Sequence, residues 1–227
     1  MNFIPVNEPL LNGNEKKYLC ECIDTGWISS EGPFVKEFEQ KLSTSVHRKY
    51  GIAVSSGTAA LEVAVQALGI GVGDEVIMPT FTIISCAMAV TKVGAIPVLV
   101  DSDIHTWNMN VEDVEAKITA KTKAIMIVHL YGLPVEMDRI LALAKKYHLK
   151  VIEDAAEMHG QTYRGKPCGS FGDVSTFSFY PNKHITTGEG GMVVTDDEDL
   201  AERCRMLRNL CFKRDARYVH DEISDNY

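Results

Sequence analysis

The sequence lacks several features that would assign it to a class at once. No apolar stretch reaches the roughly 18 residues of a membrane span. Lysine and arginine nowhere cluster and the net charge is −8, so we expect no nucleic-acid partner. The amino terminus has no basic region followed by an apolar core, so no signal peptide is expected. These absences favour a cytoplasmic protein without a membrane partner.

Cysteine and histidine patterns of disulfide scaffolds and metal sites are also absent. The six cysteines are scattered, and none forms a C-x-x-C pair. Histidines show no metal-ligand spacing. We therefore expect reduced thiols, as in cytosolic proteins, and no bound metal.

What the chain does contain is an alternation of short apolar runs with amphipathic segments, without repeats or low-complexity linkers. The 227 residues allow one large α/β domain or two small ones. Runs such as 125–128 are apolar throughout, as expected when both faces of a sheet are covered. Strand, helix and strand in succession favour a mostly parallel sheet with helices on both faces.

The predicted elements follow from this pattern. Strands are predicted at 51–54, 75–78, 96–100, 124–128, 151–153, 175–179 and 191–195. Helices are predicted at 12–23, 34–42, 58–68, 111–118, 137–147 and 198–207.

A turn at the start of the third predicted helix has the features of a phosphate site. Gly57 follows a strand and lets the backbone approach a ligand closely, and Thr58 adds a hydroxyl. Free N–H groups and the helix dipole favour an anion there. The alternative is an ordinary helix cap by Ser55 or Ser56.

Asp154 ends a predicted strand, where ligands bind in open α/β sheets. Glu153 precedes it and is expected to point to the opposite face, whereas Glu157 can turn back toward the same site. The alternative for Asp154 is a helix cap or a structural ion pair.

Lys183 follows a predicted strand and precedes a glycine-rich turn. Ser178 lies five residues earlier and offers a second hydroxyl for a phosphate; Gly188, Gly190 and Gly191 free the backbone nearby. A lysine that binds an aldehyde, paired with a carboxylate for a ring nitrogen, suits pyridoxal 5'-phosphate (PLP). A hairpin with a surface lysine is the alternative for Lys183 taken alone.

Together these segments resemble the DegT/DnrJ/EryC1/StrS family of PLP-dependent aminotransferases, which act on nucleotide-linked keto-sugars. The resemblance implies the fold of aspartate aminotransferase, fold type I. Within the family, the motifs of this sequence resemble those of the 4-aminotransferases that act on GDP-linked 4-keto-6-deoxy sugars. The matching motifs are Gly57-Thr-Ala-Ala-Leu61, Glu153-Asp-Ala-Ala156, Ser178 with Lys183, Gly188-Glu-Gly-Gly191, Gly26-Trp-Ile-Ser-Ser30, Met78-Pro-Thr-Phe-Thr82, Val128-His-Leu-Tyr-Gly132 and Leu207-Arg-Asn209.

The resemblance implies roles for individual residues. Lys183 would bind the cofactor aldehyde and move a proton, with L-glutamate as amino donor. Asp154 would pair with the ring nitrogen, and Glu157 would lie near the phenolic oxygen. The remaining cofactor-binding residues implied are Gly57, Thr58 and Ser178 at the phosphate, Ile83 on the ring face, and Asn226 reaching the phosphate from a second subunit of a homodimer.

Four residues are expected near the sugar. Trp27 and Ser29 would lie near the partner's substrate cleft. His129 and His159 follow strands and are placed to contact sugar or cofactor, with a satisfied structural histidine as the alternative.

Two departures from the family pattern bear on activity. Ile83 stands where an aromatic residue often stacks on the ring. Family members are longer, so residues 1–227 are expected to be the PLP-binding large domain, truncated before a smaller C-terminal domain. An inactive fragment or a PLP- or sugar-nucleotide-binding sensor is therefore an alternative.

Two relatives with other chemistry are further alternatives. Amino-hydroxybenzoate synthases share the same PLP cluster. Sugar 3-dehydratases of the family replace the lysine by histidine; here Lys183 is present and the histidine is the next residue, His184, which favours the aminotransferase.

Overall fold

The computed structural model describes residues 3–5 and 7–212. Its strands are β1 (Tyr50–Val54), β2 (Glu75–Pro79), β3 (Ile96–Val100), β4 (Thr122–Val128), β5 (Lys150–Asp154), β6 (Thr162–Tyr163), β7 (Lys166–Pro167), β8 (Val174–Ser178) and β9 (Gly191–Thr195). Seven of these form one sheet in the order β1-β9-β8-β5-β4-β2-β3, and β6 and β7 form a separate two-stranded hairpin.

Strand direction in the large sheet determines where a site can form. The pairs β2–β3, β2–β4, β4–β5 and β5–β8 are parallel, whereas β9 is antiparallel to both of its neighbours, β1 and β8. Six of the seven strands therefore run in the same direction, and their carboxyl ends meet at one edge. The mostly parallel sheet expected from the sequence is confirmed.

Helices cover both faces of this sheet. They are α1 (Glu15–Thr25), α2 (Pro33–Ser45), α3 (Gly57–Ala67), α4 (Ile84–Lys92), α5 (Val111–Val114), α6 (Met137–Tyr147) and α7 (Glu198–Arg208), with a short 3-10 turn at Glu115–Lys117. Helices α3, α4 and α7 pack on one face of the sheet, and α2, α5 and α6 pack on the other.

Strand β4 shows why the central strands are apolar at every position. Ala124 and Met126 pack in the core beneath α3 and α4, whereas Ile125 and Ile127 pack in the core beneath α6. All four are fully buried. Burial of each large side chain contributes about 1.5–3 kcal/mol, so neither face of this strand tolerates a polar residue without a partner.

The observed elements differ from the prediction in three places. Helix α4 was not predicted, because Ile84–Lys92 has small and apolar residues around most of its circumference and no clear 3.6-residue polar period. The hairpin of β6 and β7 was also missed. The predicted helix 111–118 is a four-residue α-helix followed by the 3-10 turn.

The other boundaries agree to within a few residues. Within 3–5 and 7–212, no helix has both the length and the apolar composition to cross a membrane.

Candidate active site

The carboxyl edge of the sheet gathers the residues singled out in the sequence. Gly57 begins α3 three residues after the end of β1, Asp154 ends β5, and Ser178 ends β8. His129 follows β4 directly, and Gly191 begins the antiparallel β9 at the same edge. Parallel strand direction thus brings together residues that are more than 120 positions apart in the chain.

The turn between β1 and α3 packs directly against the end of β8. A Cβ added at Gly57 would lie 2.8 Å from the Cβ of Ser178, so only glycine fits. A Cβ at Gly191 would meet the carbonyl oxygen of Ser56, so β9 also starts against this turn. Gly57 lets the backbone approach the Ser178 side chain, and Gly191 lets two backbone segments approach each other, more closely than any side chain would permit. The N terminus of α3 and the Ser178 hydroxyl consequently lie next to each other.

Ser56 and Thr58 have different hydrogen bonds in this turn. The Ser56 hydroxyl accepts a hydrogen bond from the Ala59 N–H at 3.1 Å and caps α3. The helix cap that the sequence analysis gave as an alternative is therefore present at Ser56. The Thr58 hydroxyl lies 2.8 Å from that of Ser85. The first N–H groups of α3 and its dipole favour an anion such as phosphate at this end.

Asp154 is a buried carboxylate with only neutral donors. Its side chain accepts the Ala156 N–H at 3.1 Å on one oxygen and the Cys86 thiol at 3.4 Å on the other. Burial raises the pKa of Asp154, and these two hydrogen bonds together with the charge of Lys183 oppose that rise. Among the described residues, no basic nitrogen lies within 4.0 Å of this carboxylate. A buried anion without a cationic neighbour matches a ligand that supplies the cation.

Lys183 and Glu157 form an ion pair at the same edge. The lysine Nζ lies 3.0 Å from Oε1 of Glu157, and both side chains are largely shielded from solvent. The second oxygen of Glu157 accepts the backbone N–H of Tyr131 at 2.7 Å. Asn7 donates its side-chain amide to the Lys183 carbonyl at 3.2 Å. The Lys183 amine therefore lies inside the site rather than on a surface hairpin.

Glu153, one residue before the site, forms a structural centre on the opposite face of β5. Its carboxylate accepts hydrogen bonds from the Gly169, Phe171 and Gly172 backbone N–H groups and from the Ser175 hydroxyl. Burial by itself raises the pKa of Glu153, but the hydrogen bond from His129 and these backbone donors outweigh it and bring the pKa to about 2. The sequence correctly placed Glu153 on the other face but did not reveal this role.

Both ring nitrogens of His129 form hydrogen bonds within the chain. Its Nε2 lies 3.1 Å from Oε1 of Glu153, and its Nδ1 accepts the Val135 N–H at 3.0 Å. Because Nδ1 is an acceptor, the Nε2–H donates to Glu153. These contacts fit the satisfied structural histidine left open in the sequence; a contact of His129 with sugar or cofactor remains only a prediction.

His159 connects the turn after β5 to the end of β8. Its Nε2 donates to the Ser178 carbonyl at 2.8 Å, and its ring contacts those of Phe177 and Phe179, with centroids 5.4 and 5.1 Å away. Burial is the largest influence on His159 and lowers its pKa, which keeps the ring neutral. In the part of the chain that the structure describes, its Nδ1 is buried without a hydrogen-bond partner.

The sequence profile of the DegT/DnrJ/EryC1/StrS aminotransferase family matches residues 9–227. The chain belongs to this family. It is similar to the GDP-perosamine synthases of Escherichia coli O157:H7, at 53% identity over 100% of this chain and 62% of the relative, and of Caulobacter vibrioides, at 52% identity over 99% and 60%.

Solved structures agree. The aminotransferase of Psychrobacter cryohalolentis superposes with a TM-score of 0.90 at 37% identity, covering 98% of this chain and 59% of that one. The NtdA protein of Bacillus subtilis, solved with bound cofactor PMP, gives 0.83 at 35% identity, covering 96% and 52%. The chain thus spans about three fifths of the length of the curated relatives it matches. The family and fold expected from the sequence are confirmed.

The structure leaves some predicted residues away from the cluster or outside its description. Trp27 and Ser29 lie in the exposed segment between α1 and α2. Ile83 caps the N terminus of α4 and is 62% exposed. Asn226 lies outside the described residues. Their roles toward cofactor and substrate stay predictions.

Two contacts of the site were not predicted from the sequence, one from the unpredicted α4 and one from the loop after β4. Cys86, on the unpredicted α4, touches Asp154. Tyr131 provides the N–H that Glu157 accepts. The only local signal for Cys86 was its place a few residues after the Met78–Thr82 motif.

The site as built fits PLP. The buried Asp154 carboxylate has no cation in contact, the Lys183 amine is held inside, and the start of α3 offers backbone N–H groups and the helix dipole to a phosphate. These are the three chemical contacts that the cofactor's ring nitrogen, aldehyde and phosphate require.

Proposed function

We propose that residues 1–227 form the PLP-binding large domain of a nucleotide-sugar aminotransferase. The observation that carries this proposal is the convergence of Lys183, Glu157 and Asp154 on one sheet edge, beside the glycine-lined start of α3. The amino donor is L-glutamate, and the acceptor is a nucleotide-linked 4-keto-6-deoxy sugar. The similarity to GDP-perosamine synthases supports GDP-4-keto-6-deoxymannose as the acceptor, with GDP-perosamine as product for surface polysaccharide such as O-antigen.

Each residue of the cluster has a role in holding the cofactor. Lys183 binds the aldehyde through Nζ, and Asp154 binds the ring nitrogen through a carboxylate that no other cation occupies. Gly57, Thr58 and Ser178 bind the phosphate. When bound, PLP supplies an electron sink for the carbon that carries the amine.

Proton movement depends on the pair of Lys183 and Glu157. Lys183 Nζ donates a hydrogen bond to Oε1 of Glu157 at 3.0 Å, which holds the amine in position. The Tyr131 N–H fixes the other oxygen of Glu157, so the carboxylate cannot turn away without losing that bond. Lys183 thereby acts as the base and acid that moves a proton at the reacting carbon.

We propose a cytoplasmic homodimer as the working form. Large apolar side chains beside the site are exposed in a single chain, among them Ile83 at 62%, Ile84 at 68% and Met88 at 51% on α4. Such a patch is typical of a protein–protein interface. All six cysteines are free, as is usual in a reducing compartment.

The test is a turnover assay on the purified protein. With PLP, L-glutamate and GDP-4-keto-6-deoxymannose, we expect 2-oxoglutarate and an amino sugar nucleotide by mass spectrometry. Lys183→Ala abolishes both products. Lys92→Ala is the matched control, because Lys92 pairs with Glu62 on the outside of α3 and α4, and we expect it to be active.

Different failures identify different alternatives. PLP binding without formation of 2-oxoglutarate would favour a sensor or an inactive fragment. Formation of 2-oxoglutarate with a dTDP-linked keto-sugar and not with the GDP-linked one would overturn the proposed substrate while preserving the aminotransferase.

A further inference from the structure

Two consecutive hydrogen bonds connect Thr82, in the loop before α4, through Cys86 to the buried carboxylate of Asp154. Cys86, fully buried in the first turn of α4, places its Sγ 3.4 Å from Oδ2 of Asp154. The Thr82 Oγ1, four residues earlier, lies 3.3 Å from the same sulfur. None of these contacts was predicted from the sequence.

The number of available protons determines which group donates in each of these two hydrogen bonds. The carboxylate only accepts, so the single S–H hydrogen of Cys86 points to Oδ2. The Thr82 hydroxyl must then donate to the sulfur. Burial, followed by the charge of Asp154, raises the pKa of the Cys86 thiol well above its usual range, so the thiol keeps its proton and remains a donor at neutral pH.

We propose that Cys86 is a positioning residue: its S–H, directed by Thr82, keeps the Asp154 carboxylate ionised and ready for a cationic ring nitrogen. This inference rests on the proposed function, because it explains how an anion persists where PLP is to bind. Cys86 itself acts only through Asp154.

The need for such a donor follows from the surroundings of Asp154. Its carboxylate is 2% exposed, and burial pushes it toward the neutral acid. Two charged or titratable side chains face it from other elements, Lys183 and His129, but each is hydrogen-bonded to another acid, Glu157 and Glu153 respectively. The direct donors are the Ala156 N–H and the Cys86 thiol.

The direct test needs no cofactor. In PLP-free protein labelled with carboxyl-13C aspartate, the Asp154 resonance is assigned by its loss in Asp154→Asn and titrated with pH. We expect Cys86→Ala to raise the midpoint by about one pH unit, since a hydrogen bond to a charged group is lost. Cys86→Ser, which retains a donor, should restore most of the shift, and Thr82→Val should give a smaller rise.

Cys204→Ala is the matched control. Cys204 is equally buried, on α7, and its thiol pKa is raised to about 12 by burial, but it has no contact with Asp154. We expect it to cost stability without moving the Asp154 midpoint. If Cys86→Ala does not fold, the rise in midpoint is measured in Thr82→Val, with Cys86→Ser as the variant that retains a donor.

Titrating PLP into each variant separates this inference from the proposed function. Wild-type protein should bind PLP, and Cys86→Ala should lose affinity about tenfold on the acidic side, where Asp154 becomes protonated. No PLP binding by the wild type would overturn the proposed function and leave the NMR result to decide the role of Cys86. An Asp154 midpoint equal in wild type, Cys86→Ala and Thr82→Val would overturn the positioning role.

Discussion

Replacing Glu153 by glutamine changes the most heavily hydrogen-bonded side chain beside the site with almost no change in shape. Its Oε1 accepts from His129 Nε2 and the Gly169 N–H. Its Oε2 accepts from the Phe171 and Gly172 N–H groups and from the Ser175 hydroxyl. An amide must turn its NH2 toward one of these two sets.

The magnitude follows from the donors left without an acceptor. Whichever way the glutamine turns, at least two buried donors face the NH2 group, and each such donor costs about 1–3 kcal/mol. The pKa of Glu153 gives an independent value: a fall from 4.5 to about 2 corresponds to about 3 kcal/mol of stability at neutral pH. We therefore expect Glu153→Gln to lower the free energy of unfolding by about 3–5 kcal/mol.

Urea unfolding followed by circular dichroism measures this loss. Because the folded-state pKa of Glu153 is depressed, its contribution is full above the unfolded-state pKa and disappears as pH falls through about 2. The difference between wild type and Glu153→Gln should therefore shrink between pH 5 and pH 2.

Two variants calibrate the measurement. Glu62→Gln, which breaks the solvent-exposed pair with Lys92, should cost less than about 1 kcal/mol. Ser175→Ala removes one donor and should lower the free energy of unfolding by about 1 kcal/mol. This variant can still be measured if Glu153→Gln does not fold. A Glu153→Gln loss no larger than that of Glu62→Gln, or one independent of pH, would refute the reasoning.

Three further predictions concern the cofactor cluster. Borohydride reduction of the PLP-loaded protein should label Lys183 in peptide maps, because its amine lies in the site at 3.0 Å from Glu157; label on Lys92 would disprove the assignment. Asp154→Asn should bind PLP but lower the rate of 2-oxoglutarate formation by at least about a hundredfold, because the ring nitrogen loses its anion; a variant within tenfold of wild type would contradict this role. Gly191→Ala should lower the urea midpoint and weaken PLP binding, because its Cβ would collide with the Ser56 carbonyl; unchanged values for both would show that this turn adapts freely.

Local sequence was sufficient for most of the fold. Each strand of the large sheet was located within about two residues, because buried strands have continuous apolar runs bounded by turn residues. Helix α4 was not predicted because its apolar residues lack a clear 3.6-residue period. Only its packing against α3 and β3 distinguishes it from a strand. The hydrogen bond from Cys86, on α4, to Asp154 was therefore not predicted either.

The candidate site was likewise predictable from the sequence only in part. Lys183, Asp154 and Gly57 were recognisable because each ends a strand or follows one within five residues, and that position depends on a few neighbouring residues. The sequence could not tell whether His129 faces a ligand or the protein. Its partners Glu153 and Val135 come from β5 and from the loop before α6, and only the folded chain brings them to the ring.

The sequence by itself determined the family and most of the element types, because these depend on local patterns and motif spacing, and it predicted the residues that would bind PLP. Only the tertiary structure decided that Glu157 pairs with Lys183 and that Cys86 donates to Asp154. The reason is physical: strand order and the antiparallel β9 bring distant segments to one edge, and hydrogen bonds depend on distances of a few ångströms that no local pattern encodes.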